Sequence, residues 1–328
     1  MMITAEQVKQ RALEAGADLV GIGDMARFEG APLDFDPRYI FPEARAIIGL
    51  GFRIHRGLLR GIEEGTFFAA YPSMGYANIN DVHAPIALRA VGNLLEDHGY
   101  EAVLYQNTSV RYGANAGRPV RPGYPRPDVF LHFRIAAFIC GMGEIGYSKV
   151  FLTPQFGPRQ RFAFIITDAP LEPDPLYDGP PLCDRCMRCV AECPAGAISA
   201  TETVKVTIAG REVEWGRLDV DRCTVAYQAG VPEYSPFIPP HVADFVDRLR
   251  EMPPGPEREQ FLSEHGGAWQ MGLEVPYNKA GWESYHHPGA ICGGRGCIRA
   301  CMIHLEQQGK LANRFQSPFR IREPWALR

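Results

Sequence analysis

Cys183, Cys186, Cys189 and Cys193 stand in the run CDRCMRCVAECP, a C-x2-C-x2-C-x3-C-P spacing. No other feature constrains the chain as strongly, because this is the ligand run of bacterial 4Fe-4S sites. Where two such clusters share a chain, the first three cysteines hold one cubane and the fourth reaches across to the other. A second set of four must then lie elsewhere, and Cys223, Cys292, Cys297 and Cys301 supply it. The count predicts one cluster on Cys183, Cys186, Cys189 and Cys301, and another on Cys193, Cys223, Cys292 and Cys297. Cys140, in an apolar segment, is left over and reads as a small buried hydrophobe.

Disulfides and zinc are the rival uses of so many thiols. The chain opens MMITAEQVKQR, with no charged-then-apolar export signal, so the expected compartment is the reducing cytoplasm. Zinc takes paired C-x2-C knuckles and gives no role to a fourth cysteine followed by Pro194. Two local departures are the C-x4-C spacing of Cys292 and Cys297, and Met302 after Cys301 where proline is usual.

With 46% apolar residues the chain can bury an ordinary core. A net charge of -4 without any Lys/Arg block gives no footprint for a nucleic acid. No run of 18 or more apolar residues predicts a membrane span. Prolines crowd into 119–127 and 170–181, which read as loops. The expected organisation is an α/β cofactor- and substrate-binding domain over 1–178, then a double-cluster module over 179–328 with a helical insert at about 241–260.

Thr4 and Gln7 form a capping-box pattern before a helix that Gly16 stops. Strands are predicted over 17–22, 46–52, 101–105 and 161–167, and helices over 81–98 and 128–140. The first of those two helices should bury Ile86, Leu88, Val91, Leu94 and Leu95. Helices and strands alternate up to about Asp168, which argues for an α/β sandwich. Gly141-Met142-Gly143-Glu144-Ile145-Gly146 matches G-x-G-x-x-G formally. A dinucleotide fingerprint needs a strand before it and a helix after it, and here the order is reversed, which favours close packing or approach to another cofactor.

GMGEIGYSKVFLTPQFGPRQRFAFIITDAPLEPD (141–174), the cysteine run and LDVDRC (218–223) together resemble the corrinoid iron-sulfur reductases. These are the reductive dehalogenases and the epoxyqueuosine reductases of tRNA modification. The resemblance covers roughly 81–304 and leans to the dehalogenases in GMGE and FGPR. It implies a nitroreductase-like α/β domain that holds cobalamin, a ferredoxin-like module with two 4Fe-4S clusters, and an external electron donor such as ferredoxin or flavodoxin. It also implies reductive cleavage of a carbon-heteroatom bond in a small organic substrate. Nucleic acid enters only if that substrate is a modified tRNA base. The chain lacks the twin-arginine leader of respiratory dehalogenases, and has Asp128-Val129-Phe130 where epoxyqueuosine reductases have Asp-Thr-Gly.

By the same resemblance Gly141, Gly143, Gly146, Thr153, Gly157 and Arg159 line the cobalamin site, glycines allowing backbone approach and Arg159 meeting the nucleotide phosphate. Cobalt chemistry belongs to the cofactor, while the protein supplies orientation and protons. Tyr76, Tyr105, Tyr112 and Asp128 are the candidate acids, and Arg111, His132 and Arg134 the candidates for stabilising anionic charge. Each also has a plain reading: Tyr76 as a rim residue, Asp128 as a helix N-cap, Arg134 as a surface cation. His83, His286 and His287 have no third ligand at metal spacing. Two other schemes keep the clusters: an electron-transfer protein that reduces a corrinoid, and a flavin-dependent reductase.

Overall fold

The computed structural model describes residues 3–106, 117–238, 240–272 and 292–327. Its centre is a four-stranded antiparallel sheet in the order β1-β2-β6-β3, formed by β1 Leu19–Asp24, β2 Ala46–Arg53, β3 Ala102–Tyr105 and β6 Gln160–Thr167. The central strands read as unbroken apolar runs because both faces are covered. Ile48 and Leu50 of β2, with Ala163 and Ile165 of β6, face one core. Ile47, Phe162, Phe164 and Ile166 face the other.

Helices α1 Ala5–Glu14 and α4 Ala84–Asp97 close the first face. The capping box at the start of α1 is formed: Thr4 Oγ1 accepts from the Gln7 amide at 3.3 Å, and Gln7 Oε1 accepts from the Thr4 amide at 2.9 Å. Between β2 and α4 lie two short turns, α2 Arg60–Glu63 and α3 Ala70–Pro72, and a π-helical run. The buried stripe of α4 is Ala84, Ala87, Leu88, Val91 and Leu95, spaced by threes and fours, so Ile86 falls outside it and is 56% exposed, against expectation.

The second face is closed by α5, which runs only over Phe133–Ile139. The predicted helix began at Asp128, but backbone donors before Phe133 are engaged elsewhere. Phe130 donates to the Asp34 carbonyl and Leu131 to the Tyr105 hydroxyl. His132, not Asp128, is the N-cap, its Nδ1 accepting from the Ile135 amide at 3.4 Å. Beyond α5 a tight hairpin pairs β4 Glu144–Ile145 with β5 Phe151–Leu152.

The remaining chain wraps this sandwich. α6 Arg188–Ala191 lies inside the cysteine run, and the hairpin β7 Ile198–Ile208 with β8 Arg211–Leu218 follows. That hairpin escaped the sequence reading. Its turn residues Ala209 and Gly210 both have positive φ, 49° and 76°, a mirror-image turn that Ala-Gly advertises less than Asn-Gly. Then come α7 Val220–Ala229, α8 Pro240–Glu251 and α9 Pro256–Gly272, so the insert is two helices and longer than 241–260. Val242, Phe245, Val246, Leu249 and Phe261 of the insert form a small core with Val225 and Ala226. Finally α10 Cys292–Arg295 and α11 Cys297–Gln307 bring the chain back, with Met302, Ile303 and Phe319 in the same core as α1 and α4. Among the described residues no helix is long and apolar enough to cross a membrane.

Two outcomes follow from this packing. Gly143 has φ of 153°, and a Cβ there would stand 2.0 Å from the Leu152 carbonyl oxygen, so Gly143→Val should lower the thermal midpoint of the whole chain, read by circular dichroism, by an amount matching about 3 kcal/mol or more. Burial and the cations of Arg134 and Lys149 push His132 down to about 4. The folded state therefore favours neutral His132, whereas an unfolded chain protonates it near 6.5. Its contribution is intact above about pH 6.5 and lost as pH falls toward about 4. Urea midpoints measured across that window should fall more steeply for wild type than for His132→Asn, which keeps a capping acceptor.

Candidate functional site

The cysteine run is shaped by two left-handed residues, Arg185 (φ 55°) and Met187 (φ 60°), which curl the backbone around its own thiols. Amides inside that curl and beside it point at sulfur. Tyr147 N–H donates to Cys183 Sγ at 3.3 Å, and Ala197 N–H to Cys193 Sγ at 3.4 Å. Cys186 Sγ accepts from the Arg188 amide, and Cys189 from the Val190 amide and the Ser148 side chain. Such bonds favour thiolate and are one means by which a protein sets a cluster's potential. Glu144 Oε1 accepts the Cys183 amide at 2.6 Å, fixing the run to β4.

The eight thiols fall into two neighbouring groups. Cys183, Cys186, Cys189 and Cys301 line one small cavity, where burial and then the neighbouring thiols raise the pKa of Cys186, Cys189 and Cys301. Cys292 and Cys297 interact with Cys193 and Cys223, again raising pKa after burial, which pushes Cys297 up to about 12. Cys297 and Cys301 are four apart on α11, so one face of one helix serves both groups. Cys189 and Cys301 both feel Cys297, which sets the groups side by side. The C-x4-C spacing has a local cause. Gly296 separates α10 from α11, and a Cβ there would meet Pro194 Cδ at 2.5 Å, so the missing side chain lets Cys292 approach Cys193. Cys186 is exposed, while the second group is covered by the core of the insert, against which Cys193, Cys223 and Cys292 pack. Cys140 is buried in the second core of the sheet, its Sγ donating to the Ile47 carbonyl at 3.5 Å.

A cleft of about 280 Å³ adjoins the second group. Ile298, next to Cys297, is one wall. Tyr76, Tyr105 and Arg134, picked from sequence, line it with His132 and Arg161, and Val150, Phe151, Pro158 and Phe162 form an apolar side. Arg134 is exposed to the space of the cleft yet surrounded by protein, and dehydration lowers its pKa. The Arg161 guanidinium lies 3.4 Å from the centre of the Tyr76 ring, and its Nε donates to Asn80 Oδ1 at 2.8 Å. Behind Tyr76, its hydroxyl is hydrogen-bonded to Tyr227, whose pKa burial drives well up, so that Tyr227 stays a neutral donor at ordinary pH. The Tyr105 hydroxyl is partly committed, donating to the Val129 carbonyl at 3.3 Å.

Other candidates are not brought together there. Asp128 is exposed and does not line the cleft. Arg111, Tyr112, His286 and His287 lie outside the described residues. The glycine segment is used by the protein itself. A Cβ at Gly141 would stand 2.1 Å from the Pro175 carbonyl, at Gly146 3.0 Å from Leu152 Cδ1, and at Gly157 3.0 Å from Leu305 Cδ1. Thr153 is buried, bonded to Gln160 and the Phe156 amide. Arg159 is 1% exposed and donates to the Ile54 carbonyl and Asn313. None of these six lines the cleft, to which the same stretch contributes Val150, Phe151 and Pro158. Arg161 and Tyr227 were missed. Arg161 opens a strand and Tyr227 sits one helical turn beyond Cys223, and only the second spacing hinted at the site.

No protein-family model matches the chain. It is 40% identical over 68 residues to a tetrachloroethene reductive dehalogenase of Desulfitobacterium hafniense, across 20% of this chain and 12% of that protein. The corresponding enzyme of Sulfurospirillum multivorans is 38% identical over 61 residues, 18% of this chain and 12% of its own. A solved reductive dehalogenase, described in terms of B12-dependent dehalogenation, matches with a TM-score of 0.51 and 20% identity over 82% of this chain. The chain covers 37% of that structure's length. An epoxyqueuosine reductase from Bacillus subtilis gives a TM-score of 0.46 at 16% identity, over 93% of this chain and 82% of its own. The chain thus shares a local stretch of sequence with reductive dehalogenases, and its fold resembles that of a solved reductive dehalogenase.

Proposed function

We propose that the chain is an iron-sulfur oxidoreductase that delivers electrons through two 4Fe-4S clusters to the cleft, where a carbon-heteroatom bond of a small organic substrate is reductively cleaved. The observation that carries this reading is the juxtaposition of the second thiol group with a cleft holding Tyr76 between a guanidinium and a second tyrosine. The cluster ligands are Cys183, Cys186, Cys189 and Cys301 for the outer cubane and Cys193, Cys223, Cys292 and Cys297 for the inner, in a ferredoxin-like module. Eight thiols in two mutually interacting groups of four are the donor set for this, with amide bonds to sulfur to support the charge.

Exposed Cys186 marks the entry point for an external one-electron donor such as ferredoxin or flavodoxin. The cofactor proposed is cobalamin, which Val150, Phe151 and Pro158 at the apolar side of the cleft would help to hold; when bound it would supply a low-potential reductant for the bond to be broken. The net step consumes two electrons, delivered singly by the clusters, and one proton, converting R–X to R–H and releasing X⁻. Tyr76 holds that proton at its hydroxyl. Arg161 over its ring favours the phenolate left behind, and Tyr227 stands ready to donate a hydrogen bond to it. Arg134 and His132 complete the polar side.

Anaerobic iron analysis should give about eight irons per chain, four for each cubane. Cys140→Ser should leave that value unchanged, whereas Cys189→Ser should lose about half of it and unfold at lower temperature, since ligation and folding are coupled. About four irons in the wild-type protein would remove the second cluster. Tyr76→Phe should keep iron and the visible spectrum but slow substrate-dependent oxidation of a reduced viologen by about 10²-fold or more. The assay probe is 3-bromo-4-hydroxybenzoic acid, the ligand of one solved relative. Equal rates for Tyr76→Phe and wild type would take the proton from another group.

A further inference from the structure

A histidine stands at the outer thiol group. His304 follows Cys301 by three positions on α11, so the two share one face of that helix. It lines the same small cavity as Cys183, Cys186, Cys189 and Cys301, and it is only 7% exposed. Its Nε2 lies 2.7 Å from Asp184 Oδ2, and Asp184 Oδ1 accepts from the Cys186 amide at 3.2 Å. Lys310 Nζ is 3.7 Å from the same carboxylate. A ring nitrogen of His304, a carboxylate oxygen of Asp184 and Cys186 Sγ all lie within 4.8 Å of one another. The other ring nitrogen, Nδ1, is buried and has no hydrogen-bond partner among the described residues.

This is the environment of an imidazole made ready for a metal. Asp184 draws the ring proton to Nε2 and leaves a lone pair on Nδ1, and a metal-bound histidine characteristically donates its other N–H to a carboxylate. A buried acceptor without a partner is unfavourable until something meets it. Five donors therefore surround a cavity in which a cubane takes four. Of the four thiols, Cys186 is the exposed one, open to solvent and to oxidants. Asp184 keeps Cys186 and His304 at the same corner, one oxygen on the amide of the first and the other on the ring of the second.

We propose that His304 is a reserve ligand of the outer cubane, its Nδ1 taking the iron at that corner when Cys186 lets go. This rests on the two-cluster reading and adds a donor that the thiol count lacks. The exchange is redox-neutral: the bond from iron to Cys186 Sγ breaks, the sulfur takes a proton from water, the bond from Nδ1 to iron forms, and the iron keeps its oxidation state. The corner nearest solvent thus keeps its metal. Because a neutral ring replaces a thiolate, the potential of the cluster rises, as it does where histidines replace cysteines in Rieske centres.

The test uses the full chain, reconstituted anaerobically. Cys186→Ala should keep the iron content of wild type, whereas Cys186→Ala combined with His304→Gln should lose one cubane, about four irons. Pulsed EPR of reduced Cys186→Ala should show a nitrogen coupling that changes when the histidines are isotopically labelled, and the midpoint potential of that cluster should be more positive than in wild type. Loss of a cubane from Cys186→Ala alone, or iron kept without a histidine coupling, overturns the proposal. A second measurement leaves every cysteine in place. Under ferricyanide, His304→Gln, whose amide still offers a donor to Asp184, should lose iron from the outer cluster at least about tenfold faster than wild type, and equal rates overturn the inference. Each variant is scored against wild type, so about four irons in the wild-type chain would remove a cluster from the reductase reading while the comparison still decides the ligand.

Discussion

Arg299 is fully buried on α11, between Cys297 and Cys301, and the placement of both thiol groups depends on it. A buried guanidinium is tolerated only when its charge is met, and here Glu63 of α2 and Glu192 of the cysteine run meet it together, with Arg320 closing a four-residue network through both glutamates. Sliding α11 by one residue would leave charges unmatched at a cost of about 3–5 kcal/mol. The network therefore fixes the helix that gives one cysteine to each group. It also ties that helix to α2 and to the residue just before Cys193, segments more than a hundred positions away.

The surroundings of the two thiol groups differ. The outer group meets solvent at Cys186, while the inner one lies beneath the two-helix insert, whose Phe245 and Phe261 stack with centroids 5.1 Å apart. Covering apolar side chains exclude water and strengthen every charge interaction nearby. That is why Arg134, although reached by the space of the cleft, is held below its ordinary pKa, and why His132 stays neutral. The hairpin β7–β8 completes the enclosure from the other side, with Trp215 in the second core and Tyr147 donating to the Ser199 carbonyl at 3.0 Å.

Sequence reasoning reached the strands of the sheet to within two or three residues, because β2 and β6 are long apolar runs and both faces of the sheet are covered. It reached α1 through a cap that needs only four residues of chain. It failed where the partner of a backbone group is distant. The start of α5 moved from Asp128 to Phe133 because the Asp34 carbonyl and the Tyr105 hydroxyl, far away in sequence, take the amides of Phe130 and Leu131. The glycines from Gly141 to Gly157 were read as places of close approach, and within the protein Pro175, Leu152 and Leu305 are what a side chain there would meet.

For the site, the division is similar. The sequence by itself determined the number and order of the thiols and the period that puts Cys297 and Cys301 on one helical face, since ligand spacing is a property of local chain geometry. Tertiary structure alone decided that Cys292 meets Cys193 across Gly296, that Arg161 lies on Tyr76, and that Arg134 and Arg161 share a cleft free of described carboxylates. Each of these is a pairing between segments separated by many residues, and charge or packing complementarity of that kind has no period for a sequence to display.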